Sequence, residues 1–380
     1  MSSTRWLVLN QSQSPHFQGL LERLAEDIGP SRLLTGRPFP AGDALEVVEG
    51  PSYDRGSMAG RVRSWLRFSA AAAAELARVD ADGLLVVTNP PFLPNLARMW
   101  HRRTGRPYAL LVWDIYPDHV VQMGWAGASN PMVRVWGHRM RSALEHAASV
   151  ITIGDRMADV LRGQMRTGHD RVHVVPNFAD VHVYTPEGPD LREPLGLGDD
   201  RVVMYSGNLG GSHGLGRLAD IAAATPVDAG IRYVIVGDGL GRAALEARTR
   251  GLPHVEFVDR QPWELLPQLL RTADLGVVSQ DASSAALSTP SKTYPLLASG
   301  VPVLALTNEG SDLAAVVEEG GGHLVPHGWS AQRAADAIRE WLDGADGAAR
   351  RQAARDLAVS TYSEEAVTAA MRKALRAVFP

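Results

Sequence analysis

The chain has 380 residues, of which 45% are hydrophobic and 21% charged, with a formal net charge of −4. That length exceeds one ordinary hydrophobic core, and the composition is that of a globular protein built as two domains. No cysteine is present, which excludes disulfides, thiolate metal sites and cysteine nucleophiles.

The N-terminus lacks the charged head and apolar core of a signal peptide, and the alanine run at Ser69 to Ala74 is too short to cross a bilayer. A cytoplasmic location is the expectation. Residues 1–180 carry 20 arginines against 17 acidic residues, net +3; the remainder carries 38 − 20 = 18 basic and 42 − 17 = 25 acidic residues, net −7. This is too small an asymmetry for nucleic acid but leaves a mildly basic N-terminal face. Only Lys292 and Lys373 are lysines, so an interior lysine is conspicuous.

Trp6 to Leu9 reads as a strand, followed by a polar loop holding Asn10, Gln13 and His16, then a helix over Gly19 to Asp27. Leu33 and Leu34 suggest a second strand, and residues 36–60 read mostly as loop. A helix follows over Gly60 to Val79, where Arg61, Arg63 and Arg67 accompany Trp65, Leu66 and Phe68. Such a basic, aromatic helix can lie on an anionic membrane surface, or simply keep its arginines in water. Gly83 to Val87 reads as a buried strand closing on Thr88-Asn89-Pro90-Pro91, with a helix over Leu93 to Thr104 behind it. Tyr108 to Val112 is the next strand and ends at Trp113-Asp114-Ile115-Tyr116-Pro117-Asp118. Asp114 at that tip is a candidate acid/base or hydroxyl-binding group, and Asp118 a helix cap. A helix over Pro131 to Ala148 and strands at Val150 to Ile153 and Val172 to Val175 complete a doubly wound parallel pattern. The Pro- and Gly-bearing stretch 176–200 reads as the linker.

The second half repeats the architecture. Val202 to Tyr205 is a strand running into SGNLGGSHG, after which helical spacing resumes at Leu215, Leu218, Ile221 and Ala222. Gly207, Gly210, Gly211 and Gly214 would let an anion approach backbone amides at a helix N-terminus. Neither the dinucleotide fingerprint nor the P-loop pattern is satisfied. Further strands at Tyr233 to Val236, Val255 to Val258 and Leu275 to Val278 end in Gly237-Asp238-Gly239, Asp259-Arg260 and a polar loop to Pro290; TPSKTYPLLASGVPVLAL then reads as helix and strand. Polar and glycine loops at successive strand ends converge on one sheet edge, where open α/β sheets bind ligands, and this favours a phosphate-bearing one.

The stretches VVPNFAD (174–180), VMYSGNLGGSHG (203–214), VIVGDG (234–239), VEFVDR (255–260) and PSKTYPLLASGVPVLAL (290–306), with WDIYPD (113–118), resemble the retaining, nucleotide-sugar-dependent glycosyltransferases of family 4, in the branch that builds bacterial polysaccharides and O-antigens. The resemblance covers most of residues 84–306. It implies the α/β GT-B fold, two Rossmann-like doubly wound domains facing across a cleft. Residues 1–180 would bind the acceptor, residues 181–361 the donor, and a helix in 362–380 would cross back to the first domain. It places donor phosphates at Gly207, Asn208, Leu209, Gly210, Gly211, His213, Ser288, Thr289, Pro290, Ser291 and Lys292. The nucleotide base and ribose fall at Gly237, Asp238, Gly239, Val258, Asp259 and Arg260, and the acceptor at Asn10, Gln13, His16, Asn89, Asp114 and Tyr116. Lys292, Asp114 and His213 are the candidate catalytic residues.

Leaving-group charge needs preorganised donors, each worth about 2.7–4 kcal/mol for a single oxyanion donor. No Asp-x-Asp run stands at a strand end, so no metal or other cofactor is expected. Two glutamates eight apart, usual in many relatives, are replaced here by Leu287 and Pro295, and the usual basic pair of the glycine loop by Asn208 and His213. The expected function is transfer of a sugar, with retention, from a nucleotide diphosphate donor, expected to be UDP-linked, to a glycan, lipid-linked or small-molecule acceptor. The alternatives are a non-catalytic nucleotide-sugar-binding partner of another transferase and a GT-B nucleotide-sugar epimerase. Peripheral membrane contact through the N-terminal domain is a further expectation.

Overall fold

The computed structural model describes residues 4–12, 15–54, 57–122, 124–210, 214–281 and 290–379. The chain divides into two compact units, one of residues up to 176 together with the stretch from Val367 onward, the other of Asn177–Ala366.

The first unit contains β1 (Thr4–Leu9), β2 (Ser31–Thr35), β3 (Leu45–Glu49), β4 (Ala81–Val87), β5 (Tyr108–Val112), β6 (Ser149–Thr152) and β7 (Val172–Val174). They form one parallel sheet in the order β3-β2-β1-β4-β5-β6-β7. β5 is buried at every residue, and β4 at all but Asp82, as expected where helices cover both sheet faces. Strand order reverses between β1 and β4. Leu9 lies level with both Leu34 and Val86, so the loops after β1, β2 and β4 leave the sheet at one edge.

The second unit contains β8 (Arg201–Ser206), β9 (Ile231–Val236), β10 (Val255–Val258), β11 (Leu275–Ser279), β12 (Val303–Thr307) and β13 (His323–Pro326), parallel in the order β10-β9-β8-β11-β12-β13. Alternation along β8 sends Val202 and Met204 into the core on one face and Val203 and Tyr205 into the core on the other. Ser206 and Val258 both pair with Val236, which brings the ends of β8, β9 and β10 level.

Both sheets have the doubly wound topology that the sequence predicts. Several elements differ. β3 lies within a stretch read as loop, because it is an edge strand whose residues after Leu45 are partly or wholly exposed. β13, also at an edge, and the helices Ala331–Asp343 and Gly347–Thr361 have no counterpart among the elements the sequence predicts. The first helix begins at Pro15, with proline at its first position, so His16 lies in a helical turn rather than a polar loop. The helix Met58–Arg78 begins where Ser57 Oγ accepts the Gly60 amide at 3.0 Å.

The stretch read as a linker is anchored in the second unit. Val181, Tyr184 and Leu197 join its core, Arg355 donates to the carbonyls of Val181 and Tyr184, and Arg192 pairs with Asp274. The C-terminal helix Glu364–Leu375 places its later residues on the first unit. There the Phe379 ring meets Trp6 edge-on at 5.4 Å, Arg372 pairs with Asp27, and a side chain at Gly83 would begin 2.6 Å from Phe379.

Candidate active site

In the second unit the loops after β8 and β9 are laced together by backbone. The Gly207 amide donates to the Val236 carbonyl at 2.9 Å, the Leu209 amide to Asp238 at 2.9 Å, and the Gly241 amide to Leu209 at 2.8 Å. Gly237 has φ +135, and a Cβ on it would lie 2.0 Å from the Gly207 carbonyl oxygen; only glycine fits this crossing. Two corrections follow. The amides of Gly207 and Leu209 are committed to the β9 loop and are not open to a phosphate. The Leu209 side chain is fully buried in the core, and its amide and carbonyl are both bonded to the β9 loop.

Lys292 caps the short helix Thr293–Ala298 and its side chain returns over the glycine loop. A methyl group on Gly207 would lie 2.6 Å from Lys292 Nζ. Nζ donates to the Tyr205 hydroxyl, and it lies 4.1 Å from the centre of the Tyr205 ring. Tyr205 in turn donates to the Asn208 carbonyl at 2.9 Å. Burial pushes the Lys292 ammonium down to about 8, and burial raises the Tyr205 phenol above its ordinary value. In the sequence, strand alternation makes Tyr205 look like any core aromatic. Ser279, at the tip of β11, is likewise unmarked there. Its hydroxyl is buried without a partner among the described residues and would lie 3.6 Å from a side chain at Gly214. An unsatisfied buried donor costs stability unless something meets it.

Asn208 is exposed and Gly210 half-buried. Asp238 is exposed and accepts the Gly239 amide at 2.7 Å, while Gly239 (φ +152) passes close to Leu209 and Asn208. Val258 is buried and ends β10. Asp259 and Arg260 are exposed, and Asp259 pairs with Arg242 at 2.7 Å. Arg242, which no local motif of the sequence marks, also donates to the Gly237 carbonyl at 3.0 Å and so ties β9's loop to β10's end. Pro290 accepts from Thr293 and Ser291 is exposed. Pro295 lies in the helix after Lys292. Gly211, His213, Leu287, Ser288 and Thr289 lie outside the described residues, as does Gln13; so does the His16 side chain.

In the first unit, Asn10 is fully buried rather than solvated; its Oδ1 accepts the Ser12 amide at 3.3 Å and its Nδ2 has no partner among the described residues. The adjacent Gln11 amide donates to the Asn89 carbonyl at 2.9 Å, joining the β1 and β4 loops where the strand order reverses. The Trp113 amide donates to Thr88 Oγ1 at 3.2 Å, which brings the β5 loop to the same place. Burial raises the Asp114 carboxyl, against a smaller opposing effect of His119. Tyr116 is buried, stacks on Trp136 at 5.7 Å and meets Trp65 edge-on at 6.3 Å. Its phenol is raised by burial first, then by Asp114 and Tyr53, with Arg61 opposing. Asp118 opens a short helix and accepts from Gln164 at 3.0 Å. Among the described residues no helix is long and apolar enough to cross a membrane.

Two parallel Rossmann-like domains with ligand-type loops at their strand reversals define the GT-B class of glycosyltransferases. The chain belongs to glycosyltransferase family 4: residues 16–183 match the Glycosyltransferase Family 4 domain and residues 189–356 the Glycosyl transferases group 1 domain. Among curated relatives it is 29% identical to the Escherichia coli (strain K12) protein named "Putative colanic acid biosynthesis glycosyl transferase WcaI", over 59% of this chain and 56% of that protein. It is 26% identical to the alpha-D-kanosaminyltransferase of Streptomyces kanamyceticus, over 53% of each. These matches span little more than half the length of the relatives. Among solved structures, Anabaena Alr3699/HepE in complex with UDP superposes with a TM-score of 0.73 at 17% identity, over 98% of this chain and 100% of that one. The sucrose-phosphate synthase of Thermosynechococcus elongatus gives 0.76 at 17% identity, over 99% of each.

Proposed function

We propose that the protein transfers a sugar from a UDP-linked donor to a glycan, lipid-linked or small-molecule acceptor, with retention of configuration and without a metal. The observation that carries this reading is the Lys292 ammonium held over Gly207 by Tyr205, beside the point where the strand order of the second sheet reverses. Ligands of open α/β sheets bind at such a point. The complex of Alr3699/HepE with UDP, on the same fold, supports a nucleotide-linked donor.

As the bond from sugar C1 to the diphosphate oxygen breaks, negative charge grows on the leaving group. A fixed ammonium in a dry setting stabilises that charge without reorganising. The acceptor hydroxyl bonds to C1 on the same face and passes its proton to the departing phosphate oxygen. In this reading the second unit holds the donor. The exposed Asp238, Asp259 and Arg260 face the base and ribose, and Asn208, Gly210, Gly211, His213, Ser288, Thr289 and Ser291 complete the diphosphate site. The first unit holds the acceptor near Asn10, Asn89, Asp114 and Tyr116, with Gln13 and His16 alongside. The protein works in the cytoplasm, with peripheral contact at the inner membrane face.

Calorimetric titration with UDP, GDP, dTDP and ADP, on native protein and Lys292→Ala, tests the donor side. UDP binding that weakens by about 1–3 kcal/mol in the variant is the expected result for loss of a charge-assisted contact. Absence of binding by any nucleotide overturns the reading. Pro295, in the helix after Lys292, stands where many relatives carry a glutamate and offers no side-chain acceptor; this favours a second reading, a nucleotide-sugar-binding partner without turnover. Donor affinity with no product across acceptors would select it.

A further inference from the structure

β8 and β11 are neighbours at the reversal of the second sheet, and they part before their tips. Their ladder joins Leu275 to Val203 and Gly276 to Met204, while β8 runs on to Ser206 and β11 to Ser279. A crevice of this kind, at the carboxyl ends of strands that part, is where open α/β sheets take ligands. Ser279 stands on its β11 wall.

Register decides which way Ser279 points. It pairs with Leu306, and Leu275, Val277 and Leu306 all enter the core that holds Tyr205 and Leu215. Alternation therefore sends the Ser279 side chain to the sheet face covered by the helix Gly216–Ala224. Its hydroxyl oxygen lies 3.6 Å from where a side chain on Gly214 would begin, two residues before that helix. Among the described residues no side chain caps the helix start, where Leu215 is the N-cap. The first turn therefore keeps its partial positive charge.

Ser279 is 5% exposed, yet its hydroxyl has no partner among the described residues. The groups beside it are satisfied: Gln280 accepts from Thr307 at 3.2 Å, and its carbonyl meets the His327 ring at 2.9 Å. The unmet hydroxyl is thus a particular feature of the β11 tip, not of a loosely bonded region. An anion answers both this hydroxyl and the uncapped helix start; an apolar group answers neither.

The strand order β10-β9-β8-β11 sets which part of a donor reaches it. In the donor reading above, base and ribose lie at the β9 and β10 tips. The Lys292 ammonium stands over Gly207, after β8. β11 comes next, on the side away from the base, so Ser279 meets the part of the donor beyond its first phosphate.

We infer that the Ser279 hydroxyl donates a hydrogen bond to the sugar-bearing phosphate of the nucleotide donor and is, with Lys292, a contact of the leaving group. This contact rests on the UDP-donor reading and adds to it a residue outside both the glycine loop and the PSK stretch. Charge grows on that phosphate as the bond to sugar C1 breaks, so a donor already fixed in place strengthens its bond during the step.

Ser279→Ala removes one buried oxygen and nothing else. Ser299→Ala is the matched control. That hydroxyl is also buried without a partner among the described residues, but it sits at the C-cap of the helix whose N-cap is Lys292. Calorimetry with UDP and UMP, and thermal unfolding without ligand, are run on native protein and both variants. Ser279→Ala should bind UDP about ten-fold more weakly than native protein, the size of one lost hydroxyl bond to a charged oxygen. Its UMP affinity should be unchanged, and Ser299→Ala should bind UDP as native protein does. Neither variant should melt below native protein, since neither loses a hydrogen bond. Equal UDP binding by native protein and Ser279→Ala overturns the inference and leaves the donor reading standing. Equal weakening of UDP and UMP also overturns it, because the contact then lies on the nucleoside side. A lower melting temperature for Ser279→Ala alone shows that the fold itself uses the hydroxyl, and overturns it likewise. UDP bound by none of the three proteins overturns the donor reading and this contact with it.

Discussion

The Lys292 ammonium donates to the Tyr205 hydroxyl, and the only proton of that hydroxyl is already given to the Asn208 carbonyl. The order of donors along this chain is therefore fixed, and Tyr205 is a positioning residue for Lys292. Tyr205→Phe keeps the ring and its attraction for the cation but removes the hydroxyl. UDP affinity should fall several-fold while the melting temperature changes little. A variant that binds as tightly as native protein, at every pH, would show that the hydroxyl positions nothing.

The pH dependence follows from Lys292. Burial lowers its value to about 8, so below that pH the ammonium is charged and attracts a diphosphate, and above it the amine is neutral. Diphosphate binding should weaken as pH rises through about 8, with proton uptake accompanying binding above that point. Lys292→Met should flatten the profile. For stability the sign is opposite. The lowered value means the folded state holds this proton less tightly than the unfolded chain, so its contribution is present at high pH and lost as pH falls through about 8. Calorimetry in buffers of different ionisation enthalpy measures the first effect and thermal unfolding the second.

Gly237→Ala should be severe. The residue has φ +135, and its new methyl would lie 2.0 Å from a backbone oxygen that cannot move without breaking the β8–β9 lacing. A loss of roughly 2 kcal/mol or more is expected from strain and overpacking together. Gly42→Ala, where nothing lies within 4 Å, should be near neutral. Paired denaturant titrations of the two variants distinguish a local clash from a general intolerance of alanine.

Asp114 carries a raised carboxyl because its charged form is buried. Its contribution to stability is present at low pH and is lost as pH rises through the raised value. Asp114→Asn should therefore gain stability relative to native protein as pH increases. In the functional assay it should lower sugar transfer and leave UDP affinity unchanged. Loss of UDP affinity would remove Asp114 from the acceptor side.

The doubly wound pattern was legible because parallel strands buried on both faces read as short apolar runs, as at Leu84–Val87 and Val202–Tyr205. The edge strands β3 and β13 were not, because an edge strand has one flank without a partner and tolerates exposed side chains. Lys292 could be singled out by its rarity and its place before a helix. The glycine loop was also visible, but its meaning shifted: Gly207 and Leu209 spend their amides on β9, and the glycines serve backbone crossing as much as ligand approach.

The sequence by itself determined two parallel α/β halves and the loops at their strand ends, since apolar period and glycine punctuation are local properties of the chain. Tertiary structure alone decided that Lys292 meets Tyr205, that Arg242 bridges Asp259 and Gly237, and that Trp136 stacks on Tyr116. Each joins residues on different elements, and strand order and register, which no local pattern encodes, bring them together.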